Sequence, residues 1–479
     1  MTSSLKSRES LKKLKISKSY SFLFFSIVIT MLLHPGRSSV FNESLNITLT
    51  FLILLNVLVF FNRVRKFYSS WLRYDTLFIL GFLIVHFQIP FLASFGIEPY
   101  RPHLVWSDKN VVNFATWFSS LALLSWMFGF YWYLNRKQNK YAYKFQTYSI
   151  NYNILKVLLI IFFFLFIFLV GSEFLSGSYA GSKNWGAGSN YVFSFLQYFI
   201  FLNIFYFFKK NEGKLNSKVG FVKALKKNIV FVSIIVAYLL IFLLVGDRGP
   251  LLQTGLIIFG AFTIYQKRIN LKSFLFFATL GAILFYIISF GRTGDASSRD
   301  QNIISEGIEN MQQSDGYDNP TEELARSVRV LYQALDVVPD KHPHLYGLTL
   351  AFDLIDVIPF GGSIYINVAN LPMMYTTSSY FFTILKKGEN FTSGEGSEII
   401  ADLYINIGVW PTLLVFLFFG YIISYFSYRA FYTKNHYSVI VYLILITTSV
   451  YISRATFLTP LKTIVWTLLI DKFLTRKYS

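Results

Sequence analysis

Apolar runs of helical length recur from one end of the chain to the other, separated by short polar or charged turns. Twelve are predicted, at roughly residues 20–33, 45–61, 76–95, 111–134, 153–171, 190–208, 228–246, 249–265, 271–290, 403–427, 437–453 and 456–471. About 20 apolar residues suffice for a helix to cross the hydrocarbon core of a bilayer. The pattern therefore predicts an all-α polytopic integral membrane protein with about 12 transmembrane helices. One interval breaks the rhythm: residues 291–402 form the only long hydrophilic stretch. The expected organisation is 1–290 with about nine transmembrane helices, 291–402 as a large outer segment, and 403–479 with about three more helices.

Inside that outer segment, "TEELARSVRVLYQALDVVPD" carries a helical period. Leu324, Val328, Leu331, Leu335 and Val338 line up on one face, and Arg326, Arg329, Gln333 and Asp336 on the other. Thr321 stands where a helix N-cap would, and Pro339 where the helix would stop. The polar stripe either covers a cavity or lies solvated on a bilayer-surface helix; both readings stay open.

Composition agrees with a membrane protein. Of 479 residues, 54% are hydrophobic and only 14% charged. The net charge of +19 would suggest nucleic acid as a partner of a soluble protein, but cytoplasmic loops of membrane proteins accumulate Lys and Arg. No nucleic-acid partner is expected. There is no cysteine, which excludes disulfides, thiolate nucleophiles and Cys-ligated metals. The basic N-terminus followed by Tyr20–Leu33 reads as a retained first span, since no small-x-small cleavage site follows.

Charge also predicts orientation. With the N-terminus inside, 29 of the 44 Lys and Arg fall on inner segments, and the bias alternates at every loop. Both termini are then inside. Of the 25 acidic residues, 16 lie between Arg292 and Asp402, on the outer side.

Against that bias, arginines sit at outward span ends. Asp247 and Arg248 occupy the turn "VGDRGP", Arg292 follows in "FGRTG", Arg326 and Arg329 lie on the outer helix, and Arg454 in "YISRATF". A guanidinium offers a planar fork of donors that matches phosphate oxygens, and a polyprenyl diphosphate places its phosphates at that depth. The competing reading has these arginines snorkel to lipid headgroups or cap helix ends. The glycines flanking Arg248 and Arg292 favour close approach of a ligand to backbone.

The stretch "SGEGSEIIADLYINIGVWP" predicts a helix capped by Ser397, with Glu398 and Asp402 on one face. Asp402, at the entrance of an apolar span, is a candidate general base because partial desolvation raises a carboxylate's pKa. His344, in "DKHPHLYG", is the second candidate base. His342 and His344 without a further ligand cluster are a weak metal signal, so no metal site is predicted. His86, mid-span, is expected to be packed or hydrogen-bonded. No Ser-His-Asp elbow, P-loop or Asp-x-Asp motif is present.

"VGDRGPLLQ", "FGRTG", "RVLYQALDVVP" followed by "YGLTL" and "IPF", and "GEGSEIIADLYINIGVWP" before a span together resemble the Wzy-like O-antigen and capsular oligosaccharide repeat-unit polymerases. The likeness covers roughly residues 228–430. It implies a C-type membrane glycosyltransferase in a bacterial inner (plasma) membrane, metal-independent and without a cofactor, working at the outer face. Its implied substrates are undecaprenyl-diphosphate-linked repeat units, joined into O-antigen lipopolysaccharide or capsule. It implies further a chain-length regulator and a flippase as protein partners. Family members commonly carry Glu where this chain has Asp402. The alternatives are an O-antigen ligase, which shares the donor, a flippase or other transporter, and a non-catalytic assembly scaffold.

Overall fold

The computed structural model describes residues 18–99, 101–106, 108–136, 148–150, 152–175, 185–186, 188–291, 307–309 and 320–477. Arg292 and the basic residues before Lys18 lie outside the described residues. Among the described residues the regular structure is helical apart from a short antiparallel ribbon, β1 (Tyr148–Ile150) with β2 (Thr475–Lys477). The first helices are α1 (Lys18–Leu32), α2 (Glu43–Val64), α3 (Tyr74–Ala93), α4 (Val112–Arg136), α5 (Tyr152–Leu175) and α6 (Ser189–Lys210). There follow α7 (Lys218–Lys227), α8 (Ile229–Val245), α9 (Arg248–Tyr265) and α10 (Leu271–Gly291). After residue 320 come α11 (Glu322–Ala325), α12 (Arg329–Val337), α13 (Leu348–Ile355), α14 (Gly361–Ala369) and α15 (Ser378–Lys387). The chain closes with α16 (Ile399–Ile407), α17 (Val409–Tyr428), α18 (His436–Thr448) and α19 (Leu461–Leu474).

Among the described residues, six helices are long and apolar enough to cross a bilayer: Glu43–Val64, Tyr74–Ala93, Tyr152–Ser172, Ser189–Lys210, Leu271–Ile288 and Val409–Thr433. A seventh is added if Val219–Lys227 and Ile229–Val245, bent by 86°, count as one span. Helix occupies most of each of the twelve predicted runs. The C-terminal runs differ most from expectation. The run 403–427 breaks at Gly408, whose φ of +77° ends α16 and starts α17. The last two runs hold helices of only 13 and 14 residues.

The core sits around α4, which is buried along nearly its whole length. A helix apolar on all sides belongs inside a bundle, and the few polar groups on α4 find partners there. Asn113 accepts from the Asn46 side chain at 2.8 Å, for example. Glycine lets α17 approach closely: a Cβ on Gly420 would fall 1.9 Å from the Trp126 carbonyl oxygen, and one on Gly129 1.8 Å from that of Leu417. Small residues of this kind set backbone contact between membrane helices. α10 is the opposite case, with Leu275, Phe276 and Leu280 exposed on its flank.

The segment after residue 320 is less hydrophilic than its composition suggests. Leu354, Ile358, Phe360, Ile364 and Val368, on and around α13 and α14, are all exposed apolar residues. The amphipathic helix is broken by a 3-10 turn at Arg326–Val328. Its apolar face is buried nonetheless (Val328, Leu331, Leu335, Val338), while Arg326, Arg329 and Gln333 stay at the rim. Thr321 stands at the N-cap position of α11 as expected, but its side chain makes no capping bond there; its hydroxyl donates to Gln88 at 2.8 Å.

Candidate active site: an arginine cluster beside two carboxylates

The turn at Gly246–Arg248 is built for a sharp reversal. Gly246 ends α8 at φ +75°, a left-handed conformation that favours glycine. Asp247 caps α9, accepting from the Gly249 amide at 3.1 Å. The Asp247 carboxylate is thereby committed to the backbone, and Arg248 is left as the reaching group. Arg248 grips Glu323 with both arms, at 2.8 and 2.5 Å, and donates to the Phe285 carbonyl at 3.2 Å.

Glu323 also faces Arg454, 3.7 Å away. Arg454 lies in the 3-10 turn Ile452–Arg454 that follows α18. The chain just before that turn is pressed against α3: a Cβ on Gly81 would come within 2.2 Å of the Val450 carbonyl oxygen. The Arg454 guanidinium is pushed below its ordinary pKa by desolvation, opposed by Glu323 and reinforced by Arg248 and Arg329. Its side chain is 41% exposed.

A second knot adjoins the first. Glu395 pairs with Arg329 at 3.1 Å, Lys387 at 3.0 Å and Lys386 at 3.2 Å. Although burial pushes the Glu395 carboxyl up, Lys387, Arg329 and Lys386 together hold it below the usual range. Arg326 pairs with Glu322 at 2.8 Å. Among the described residues, Arg248, Arg326, Arg329, Arg454, Lys386 and Lys387 meet the glutamates Glu322, Glu323 and Glu395. The structure brings Arg248 and Arg454 together on the Glu323 carboxylate.

The carboxylates come next along the same loop. Asp402 is buried on α16, and its Oδ2 accepts from the Phe457 amide at 2.9 Å. Phe457 is three residues beyond Arg454. Oδ1 is buried without a well-formed hydrogen bond, although the Ser378 hydroxyl lies near enough to favour the ionised form. Burial dominates and pushes the Asp402 pKa up to about 6, with Glu398 adding to the rise. Asp353, on α13, is pushed up to about 7 by burial, by Asp402 and by Asp356, against a stabilising contact from Thr456.

Glu398 is the N-cap of α16, a role the sequence assigns to Ser397. It accepts from the amides of Ile400 (2.8 Å) and Ala401 (2.7 Å) and meets His86 Nε2 at 2.7 Å. His86 is thus hydrogen-bonded, as expected, with its Nδ1 on the Phe82 carbonyl. Ser397 instead pairs with Ser378 at 2.7 Å. His344 is placed at the other end of α16, its Nδ1 3.1 Å from the Tyr404 carbonyl and its ring edge-on to Tyr404. Sequence reasoning missed Glu323, Glu395, Lys386, Lys387 and Asp353. The clustering of acids in 291–402 was the available signal for the glutamates.

A multi-pass helical membrane protein that sets arginines from α9, α12 and the turn after α18 against glutamates, close to a buried aspartate, has the parts of an anion-handling membrane enzyme. The chain belongs to the O-antigen polysaccharide polymerase Wzy family, whose family model matches residues 16–475. The match takes in every described residue of the site. No curated protein and no solved structure shows significant similarity to the chain.

Proposed function

We propose that the chain polymerises lipid-linked oligosaccharide repeat units, transferring a growing glycan from undecaprenyl diphosphate to a hydroxyl of the next unit at the outer face of the bacterial inner membrane. The observation that carries this reading is that Arg248 and Arg454 share Glu323, and that the loop carrying Arg454 holds Asp402 through the Phe457 amide three residues later. Glu323 fills the fork of Arg248 as two phosphate oxygens would. A diphosphate of higher charge displaces it and engages the arginines.

In this account the acceptor oxygen attacks the anomeric carbon. The bond from that carbon to the diphosphate oxygen breaks, and its electron pair leaves with the phosphate. The arginines stabilise the charge growing there without a metal ion. The acceptor proton passes to carboxylate at the head of α16, where Asp402 is the base and His344 the next candidate. Arg292 is assigned to the same diphosphate site from its sequence position alone. The reading takes the twelve apolar runs as spans with both termini inside, an orientation supported by the alternation of Lys and Arg along the sequence, and on it this loop lies outside.

Deleting the gene tests the reading in cells. The expected result is single repeat units on their carrier with no long glycan. Loss of the single repeat units as well would point to an earlier step and overturn it.

A further inference from the structure

Leu354, Ile358, Phe360, Ile364 and Val368 are exposed apolar residues in a stretch that belongs to none of the six long apolar helices. The contacts of α13, α14 and the bend between them set the depth of this stretch. Trp466 on α19 donates its indole N–H to the Val357 carbonyl at 2.8 Å, and its ring lies 5.7 Å from that of Phe195 on α6. Phe360 meets Tyr191, also on α6, with 5.2 Å between ring centroids. α6 has 22 residues, about 33 Å of helix, against a hydrocarbon core of about 30 Å. Tyr191 and Phe195 lie about 3 and 9 Å along α6 from its first residue, Ser189. The bend between α13 and α14 therefore sits below the end of a membrane span rather than above it.

One face of α19 continues the same surface. Lys462, Trp466, Leu469 and Phe473 recur at 4-3-4 spacing and share that face. Leu469 and Phe473 are exposed, while Lys462 and Trp466 are covered by Asp356, at 2.8 Å, and by Val357. The bend thus occupies one half of a stripe whose other half is exposed apolar surface.

The local chemistry suits an apolar surrounding, where free backbone groups and lone charges are costly. Pro359 has no N–H to satisfy. Trp466 covers the Val357 carbonyl, and the Ile355 and Ile358 carbonyls accept from the Ile358 and Gly361 amides. Asp356 is paired with Lys462. Two glycines let the helices close on each other: a Cβ on Gly361 would fall 2.3 Å from the Ile355 carbonyl oxygen, and one on Gly362 3.0 Å from the Phe352 ring.

We propose that α13 and α14 form a hairpin seated in the outer leaflet, with Leu354, Ile358, Ile364 and Val368 against lipid acyl chains. The leaflet is the one at the Ser189 end of α6, since Lys209 and Lys210 mark the opposite, inner end. Helices that lie in the interface bury their apolar face by about 5–10 Å, which matches the depth set by Trp466 and Phe195. Thr349 on α13 accepts from Asn406 on α16 at 2.7 Å, so the hairpin ties the helix that carries Asp402 to the bilayer surface. This seating holds whatever reaction the chain performs.

The test uses the full-length protein, which has no native cysteine, in nanodiscs of phosphatidylethanolamine and phosphatidylglycerol. Ile358→Cys, Ile364→Cys and Val368→Cys each carry a nitroxide. Its relaxation by oxygen, which concentrates in lipid, is compared with its relaxation by a water-soluble nickel chelate. Leu280→Cys, on the exposed flank of α10, is the lipid reference, and Glu389→Cys, at an exposed loop position, is the aqueous one. All three hairpin variants replace exposed side chains, so each is expected to unfold at the wild-type temperature, and the positions report independently. The oxygen-to-nickel ratio at Ile364→Cys and Val368→Cys is expected to approach that of Leu280→Cys. Two results overturn the seating: ratios matching Glu389→Cys, which put the hairpin in water, or low accessibility to both reagents, which means that protein, such as a second copy of this chain, covers the face.

Discussion

Arg248→Lys keeps the positive charge at the head of α9 and removes the fork. In the structure Arg248 reaches both oxygens of Glu323 and anchors an arm on the Phe285 carbonyl. A lysine delivers one point charge from a flexible stem and has no second arm to spare for the anchor. Against a diphosphate the change costs about one charge-assisted hydrogen bond, roughly 1.5–3 kcal/mol. At about 1.4 kcal/mol per decade, kcat/KM should fall about 10- to 150-fold. Folding should survive, because the Glu323 carboxylate is 42% exposed and such partly exposed pairs contribute little to stability. The assay is initial rate of glycan elongation by purified variant and wild type, at subsaturating lipid-linked repeat unit. A variant within twofold of wild type, equally expressed, would return Arg248 to the role of a headgroup or helix-end contact.

Further outcomes follow from the same geometry. Asp402→Asn preserves shape and an acceptor for the Phe457 amide but removes proton-accepting ability, so saturated turnover should drop about 10²–10⁴-fold; retention of half the rate excludes Asp402 as base. The folded-state pKa of Asp402 is raised to about 6. Its contribution to stability is therefore fullest below the unfolded carboxylate range, near pH 4, and is lost as pH rises through about 6. Asp402→Asn should gain in Tm relative to wild type at pH 8 and gain little at pH 4, and a pH-independent difference contradicts the burial argument. Gly420→Ala places a methyl into the Trp126 carbonyl and should cost about 1–3 kcal/mol of stability by overpacking, seen as a lower Tm in detergent. Single cysteines at positions 248 and 386 should react with an impermeant thiol reagent from outside intact spheroplasts; labelling only from the cytoplasmic side contradicts the orientation.

The positions of the helices were largely legible in the chain. Long apolar runs need buried or lipid-facing helices, and α2, α3, α6, α9 and α10 begin and end within a few residues of the predicted runs. The break at Gly408 was not, because "INIGVWP" reads as one apolar run and a single glycine inside it does not announce φ +77°. The arginines stood out since they defy the charge bias of outer loops. Their acidic partners did not: Glu323 and Glu395 look like ordinary polar residues until the fold sets them against Arg248 and Arg329. Asp353 was least legible of all. In "LTLAFDLIDVIPF" nothing distinguishes it from Asp356, which finds Lys462 in the fold. Glu398 illustrates a local ambiguity, since Ser397 and Glu398 are both good caps and the choice was settled by His86 from a distant helix.

The central claim, that this chain joins lipid-linked repeat units by itself at a site of arginines and acids, is tested most directly by incubating the purified protein with a single lipid-linked repeat unit. The mixture contains no nucleotide sugar and an excess of chelator, and the products are resolved by length. The account predicts a ladder of glycans growing by whole repeat units, with free lipid diphosphate released at each step. Unchanged single repeat units, from a protein that is folded and carries the wild-type residues at 248, 329, 402 and 454, would contradict it.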